Sequence, residues 1–188
     1  MATLNTTNIK HASSGSNNIV LASDGKVTFP QNTGNILQVV QVAKTDTAST
    51  TSTSWTDLSG MSASITPSSS SNKILITAFL GQFTGTDAIY LSLCSADGTN
   101  LLGGDSVSGA ETPSTGGYSG GNSQGEAWFG ANPATLVKLH SPNTTSSVTY
   151  KIRWRVNNGT GVFNRNHSDS GQYFIRCASN ITLMEVAA

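Results

Sequence analysis

The 188-residue sequence predicts an all-β protein: a short N-terminal hairpin or stem segment followed by a jelly-roll-like β-sandwich. Three observations lead there. Short apolar runs recur between Ser/Gly/Asn/Thr clusters, at the spacing of strands and turns. No segment of about 12 residues carries the i, i+3, i+4, i+7 apolar pattern of an amphipathic helix. The first 34 residues hold too few apolar side chains to bury a core of their own.

The elements follow in order. "NNIVLASDGKVTF" (17–29) reads as a hairpin, because Asp-Gly between apolar runs suits a two-residue type I′ turn. With Asp24 and Gly25 as the loop, Val20 should face Phe29 and Ala22 should face Val27, leaving Ile19 and Leu21 on the other side. Both faces are apolar, and a lone hairpin is marginal in water. Residues 1–34 contain no cysteine and no metal-ligand cluster to staple them. Sister copies are therefore expected to cover Ile19, Val20, Leu21, Val27 and Phe29, packed about a symmetry axis as in a fibrous β-stem.

Residues 35–188 supply the sandwich. "ILQVVQVAKT" (36–45) is its first strand, and "TSWTDLSGMSASITP" (53–67) holds one or two more. "KILITAFLGQF" (73–83) places Ile74, Ile76, Ala78 and Leu80 on one face and Leu75 and Phe79 on the other. "AIYLSLCS" (88–95), "AWFGA" (127–131) and "TLVKLH" (135–140) follow. "SVTYKIRWRV" (147–156) alternates, with Tyr150, Ile152, Trp154 and Val156 inward and Lys151, Arg153 and Arg155 outward, the mark of a half-buried antiparallel strand. "QYFIRCAS" (172–179) and "ITLMEVAA" (181–188) close the chain. Eight to ten short strands argue for a sandwich or barrel; a jelly roll fits the number and the long loops. The longest loop, 103–126, is a low-complexity Gly/Ser tract, either an excursion or a binding loop.

Composition narrows the function. Ten Lys+Arg balance ten Asp+Glu, and charged residues are only 11% of the chain, less than half the usual share of about 25%. Nothing here argues for nucleic acid or an anionic membrane as partner. No apolar stretch approaches the roughly 18 residues of a membrane span, and "MATLNTTNIKH" lacks the apolar core of a secretory signal. Cys94 and Cys177 read as small buried hydrophobes; a disulfide would need their Cα atoms within about 7 Å.

Catalytic patterns are thin. "GYSGG" satisfies G-x-S-x-G around Ser119, but a nucleophile elbow needs a strand before it and a helix after it, and Ser119 sits in a Gly/Ser tract. His11, His140 and His167 stand apart, without zinc spacing. No acidic pair is forced together for glycoside hydrolysis; Asp97-Gly98 reads as a turn. The Asn-x-Ser/Thr sites at Asn5, Asn143, Asn158, Asn166 and Asn180 follow from a Ser/Thr/Asn-rich composition. No catalytic residue, metal or cofactor is expected. "NNGTGVFNRNHSDSGQ" (157–172) is the most suggestive polar stretch. Arg165, Asn166, His167 and Asp169 offer hydrogen bonds, and Phe163 offers a stacking surface for a glycan or a protein neighbour; a solvated loop is the competing reading. Tyr118 invites the same thought, while Trp128 reads as core. Arg153 and Arg155 would pair with acids of a neighbouring copy or form a solvated face that blunts edge pairing.

Three stretches, "MATLNTTNIKHASSGSNNIVLASDGKVTF", "ILQVVQVAKTDTASTTSTSWTDLSGMSASITPSSSSNKILITA" and "ASNITLMEVAA", resemble tail-fibre-like and other virion structural proteins of tailed phages, especially marine and cyanobacterial ones. The resemblance implies a virion protein and a homotrimer whose head is similar to the tumour-necrosis-factor/C1q type. Residues 1–34 would attach to other virion proteins and trimerise, and residues 35–188 would form the head. In a tail fibre the head would meet a host surface receptor or glycan. In a capsid decoration protein, the alternative, the head would be a stabilising knob on the shell. A third reading is a carbohydrate-binding module unrelated to phage.

Overall fold

A computed structural model describes residues 6–13, 15, 19–21, 23–25, 27–28, 35–104, 116–118, 133–166 and 176–188, with only the backbone of Thr28 and 116–118. Among these the protein is all β, with no α-helix.

The N-terminal strands are β1 (Asn8–Ile9), β2 (Ile19–Leu21) and β3 (Val27–Thr28), paired antiparallel in the order β1-β2-β3. The hairpin forms, but its register departs from expectation by one residue: Val20 lies opposite Thr28, not Phe29, and Leu21 opposite Val27. The cause is the turn. A type I′ loop needs positive φ at both central residues; Gly25 has φ +83°, and Asp24 is not among the residues with positive φ. A single left-handed residue fits a loop of odd length, and a one-residue slip exchanges the faces of the returning strand. Val27 therefore shares a pair with Leu21 instead of Ala22. Phe29 and Ala22 lie outside the described residues. The sequence did not announce β1; it docks on β2 with Ile9 opposite Ile19, and the Leu21 N–H donates to the Thr7 carbonyl.

The sandwich contains β4 (Ile36–Lys44), β5 (Ala48–Thr50), β6 (Thr56–Ile65), β7 (Lys73–Leu80), β8 (Phe83–Gly85), β9 (Ile89–Ser95), β10 (Gly116–Tyr118), β11 (Ala134–His140), β12 (Val148–Val156), β13 (Gly161–Phe163) and β14 (Ser179–Val186). Two four-stranded antiparallel sheets, β10-β9-β12-β6 and β11-β7-β14-β4, enclose one continuous core. Of the eight strands in these sheets, taken in chain order, only β9 to β10 stays within a sheet; each other step crosses to the facing one.

The expected alternation holds in the strands that matter most. Ile74, Ile76, Ala78 and Leu80 of β7 are buried, as are Tyr150, Ile152, Trp154 and Val156 of β12. A small third sheet, β5-β13-β8, contributes Phe83 and Phe163 to the same core. The Phe163 ring meets Trp154 edge-on, with centroids 6.2 Å apart.

Two loop readings change. The tract 103–126 contains β10, whose Gly-Gly-Tyr carries almost none of the composition that marks a strand; it pairs with β9 at the sheet edge. The segment 157–172 contains β13. "AWFGA", Trp128 and Ser119 lie outside the described residues. Cys177 is not in a strand; β14 begins at Ser179. Both cysteines are free thiols, Cys94 buried and Cys177 half-buried.

Candidate functional site

At one end of the sandwich the turn after β9 and the β11–β12 connection frame a recess of about 300 Å³, lined by Ser95, Asp97, His140, Pro142, Val148 and Tyr150 among others. Its position follows from register, since Tyr150 lies opposite Ser95 in the β12–β9 pair. Asp97-Gly98 is the turn read from the sequence. Gly98 takes φ +89°, a conformation that costs a residue with a Cβ. The Asp97 carboxylate accepts from Ser95 Oγ at 2.5 Å, from the Thr99 N–H at 3.0 Å and from Thr99 Oγ1 at 2.9 Å. The Ser95 hydroxyl, then the Thr99 donors, hold its carboxyl at about 2. It is ionised throughout the neutral range and has no proton to give.

His140 Nδ1 and the Tyr150 hydroxyl are 2.8 Å apart, and the two rings meet edge-on at 5.6 Å. Burial, helped by the Lys138 charge, lowers the His140 pKa, and burial pushes the Tyr150 phenol up to about 12. A hydroxyl that donates to Nδ1 leaves the imidazole proton on Nε2. The recess thus offers neutral hydroxyl and imidazole groups beside one fixed carboxylate, a set suited to a small hydroxyl-bearing ligand. A phenol held near 12 is a poor nucleophile at neutral pH. NMR titration of the full chain should give a His140 midpoint below the ordinary value near 6.5. Because folding depresses this pKa, stability falls as pH drops below the unfolded imidazole's value. Tyr150→Phe should cost about 1 kcal/mol in urea unfolding.

The residues singled out for receptor contact are not assembled into a surface. Phe163 is a correction: it is fully buried in β13 and packs on Trp154, so it offers no stacking platform. The strand that carries it is inserted between β5 and β8, which turns its ring into the core. Arg165 is half-buried, and its guanidinium donates to the Asn166 carbonyl at 3.1 Å; Asn166 is buried. Tyr118 lies in β10 opposite Ile89. His167 and Asp169 lie outside the described residues. His11 is exposed and accepts from the Ser13 N–H.

Lys151 and Arg153, two of the three basic residues expected to point outward from β12, find their acid within the chain. Lys151 Nζ lies 3.0 Å and Arg153 Nε 3.3 Å from the Asp57 carboxylate of β6. Arg155 is covered rather than solvated, its guanidinium 4.2 Å from the Tyr90 ring centroid and 5.5 Å from that of Trp55.

Sequence reasoning missed two features. One is Glu185, a fully buried carboxylate at the end of β14. Ser68 N–H and Oγ and Asn72 Nδ2 donate to its Oε1 at 2.6–2.8 Å, and Gln38 Nε2 donates to its Oε2 at 2.6 Å. The donors come from two segments, β4 and the β6–β7 loop, each more than a hundred residues from Glu185, so no local motif marks the site. The other is the outer face of β11-β7-β14-β4. Leu139, Leu75, Met184 and Val39 stand opposite one another across all four strands. The next row is Val137, Thr77, Thr182 and Gln41, in which Gln41 Nε2 donates to Thr182 Oγ1. Alternation in each strand was legible as the signal, but not which rows align.

Among the described residues no three His, Cys, Asp or Glu side chains gather to hold a metal, and no helix is long and apolar enough to cross a membrane. No protein-family model matches the chain, and no curated protein matches it.

Proposed function

We propose that this chain is a non-enzymatic structural protein of a tailed-phage particle, in which residues 1–34 associate copies into a homotrimer and tether it to other virion proteins. Residues 35–188 form the exposed head. Its strand order, with consecutive strands alternating between facing four-stranded sheets, matches a double Greek key and supports the jelly-roll reading.

The observation that carries the reading is the state of the N-terminal sheet. Its strands are two or three residues long, below what stands alone in water. Ile9 is 42% and Val27 53% exposed, and Ile19, Val20 and Leu21 are only half-covered. Each is a side chain that sister copies would bury. Three heads held together would contact a host surface glycan weakly per site and strongly as a group, and the His140–Tyr150 recess is where a sugar hydroxyl would dock.

Sedimentation equilibrium of the full chain should return the mass of three 19.5 kDa chains. Ile9→Asp with Val27→Asp should raise the concentration needed for assembly by at least tenfold. A monomer at every concentration overturns the reading. Labelling of intact particles then separates the two placements: a few copies mark a tail appendage, and many copies a shell decoration.

A further inference from the structure

We infer that the outer face of the sheet β11-β7-β14-β4 is a second self-association surface, on which the heads of sister chains pack against one another. The inference rests on the reading that residues 1–34 bring copies together.

The two sheets of the sandwich differ on their outer sides. On β6 and β12 that side is polar, with Asp57 paired to Lys151 and Arg153, and Ser64 bonded to Thr149. On the other sheet the apolar row of Leu139, Leu75, Met184 and Val39 runs from edge to edge. Ile36, Leu37, Val39, Phe79, Val137 and Leu139 are 43–57% exposed. Six such half-exposed side chains present on the order of 500 Å² of apolar surface, at the upper end of the roughly 300–600 Å² usual for the largest patch on a monomer. That would fill much of an interface burying about 800 Å² per partner.

The occupant is a second copy for two reasons. Lys73, at the border, is the only charged side chain pointing outward from these four strands. A partner chosen by charge finds nothing to pair with, whereas the apolar surface of a sister chain suits this neutral face. The chain path supplies the second reason. Residues 1–34 lead directly into β4, an edge strand of this sheet. From Thr28 to Asn35 is a span of seven residues, at most about 25 Å of extended chain. Copies joined through β1–β3 therefore hold their β4 edges within short reach, at the high effective concentration that a short tether provides.

The test uses the full chain. Val39→Glu with Leu139→Glu sets charges on an exposed face that sister copies must cover. Far-UV circular dichroism should be unchanged, and sedimentation equilibrium should show the dissociation constant of assembly raised at least 100-fold. Thr77→Cys places a thiol at the centre of the face without adding charge. Read by mass spectrometry at that site, its alkylation should be at least tenfold slower above the assembly concentration than below it. The Ile9→Asp/Val27→Asp chain is the companion. If only that chain dissociates, and the Thr77→Cys thiol reacts at one rate throughout, the face proposal is overturned and the N-terminal reading stands. If only the Glu pair dissociates, the face proposal stands and the N-terminal reading fails. Should the Glu pair lose its β signal, the alkylation rates alone decide.

Discussion

Phe163→Ala will lower the stability of the head by about 3–5 kcal/mol, the usual cost of emptying a buried aromatic site. The ring is fully buried, lies opposite Phe83 in β8 and Ala48 in β5, and meets Trp154 edge-on. Removing it opens a cavity where the small sheet closes the core, and β13, only three residues long, has little else to hold it. Phe163→Leu refills most of the volume and should cost clearly less. Urea unfolding at fixed protein concentration measures both, since assembly itself shifts the midpoint. A loss below about 1 kcal/mol for the alanine variant would place the ring at the surface after all, where the sequence reading had put it.

Glu185→Ala will cost about 2–4 kcal/mol, because it strands donors of Asn72, Ser68 and Gln38 in a buried site where each unmet group is worth roughly 1–3 kcal/mol. Asn72 also accepts from the Ala188 N–H, so its displacement would loosen the C-terminal end as well. Acid should produce a related loss. Burial disfavours the charge, but the Asn72 and Gln38 amides and the two Ser68 donors outweigh burial and hold the carboxyl at about 2, against 4.5 ordinarily. A folded pKa below the unfolded one contributes stability above the unfolded value, and that contribution disappears as pH falls from about 5 towards 2. The difference corresponds to about 3 kcal/mol. Urea midpoints measured at pH 7, 4.5 and 3 should converge for the parent chain and Glu185→Gln as pH falls. Parallel curves would show that this carboxylate carries none of the acid sensitivity.

What could be read in advance is local. Alternation assigned the two faces of β7 and β12, because side chains on a strand point to opposite sides with period two and β-branched and aromatic residues marked the inward set. Asp97-Gly98 announced its turn, since glycine adopts left-handed φ without strain. The thin N-terminal composition pointed to an uncovered sheet, and Ile9 and Val27 are exposed. Where a single dihedral decided, the same logic failed: Asp24 did not join Gly25 at positive φ, and the whole return strand moved by one residue.

The sequence by itself determined that the chain is all β, where its main strands run and which of their side chains go inward; these follow from neighbours along the chain. Tertiary structure alone decided that Phe163 is core, that Asp57 is the partner of Lys151 and Arg153, that Glu185 is caged by two distant segments, and that one sheet carries an apolar row across its outer side. Each depends on which strands lie side by side and in what register. That choice is made by long-range pairing between segments tens to more than a hundred residues apart, so no short window of sequence contains it.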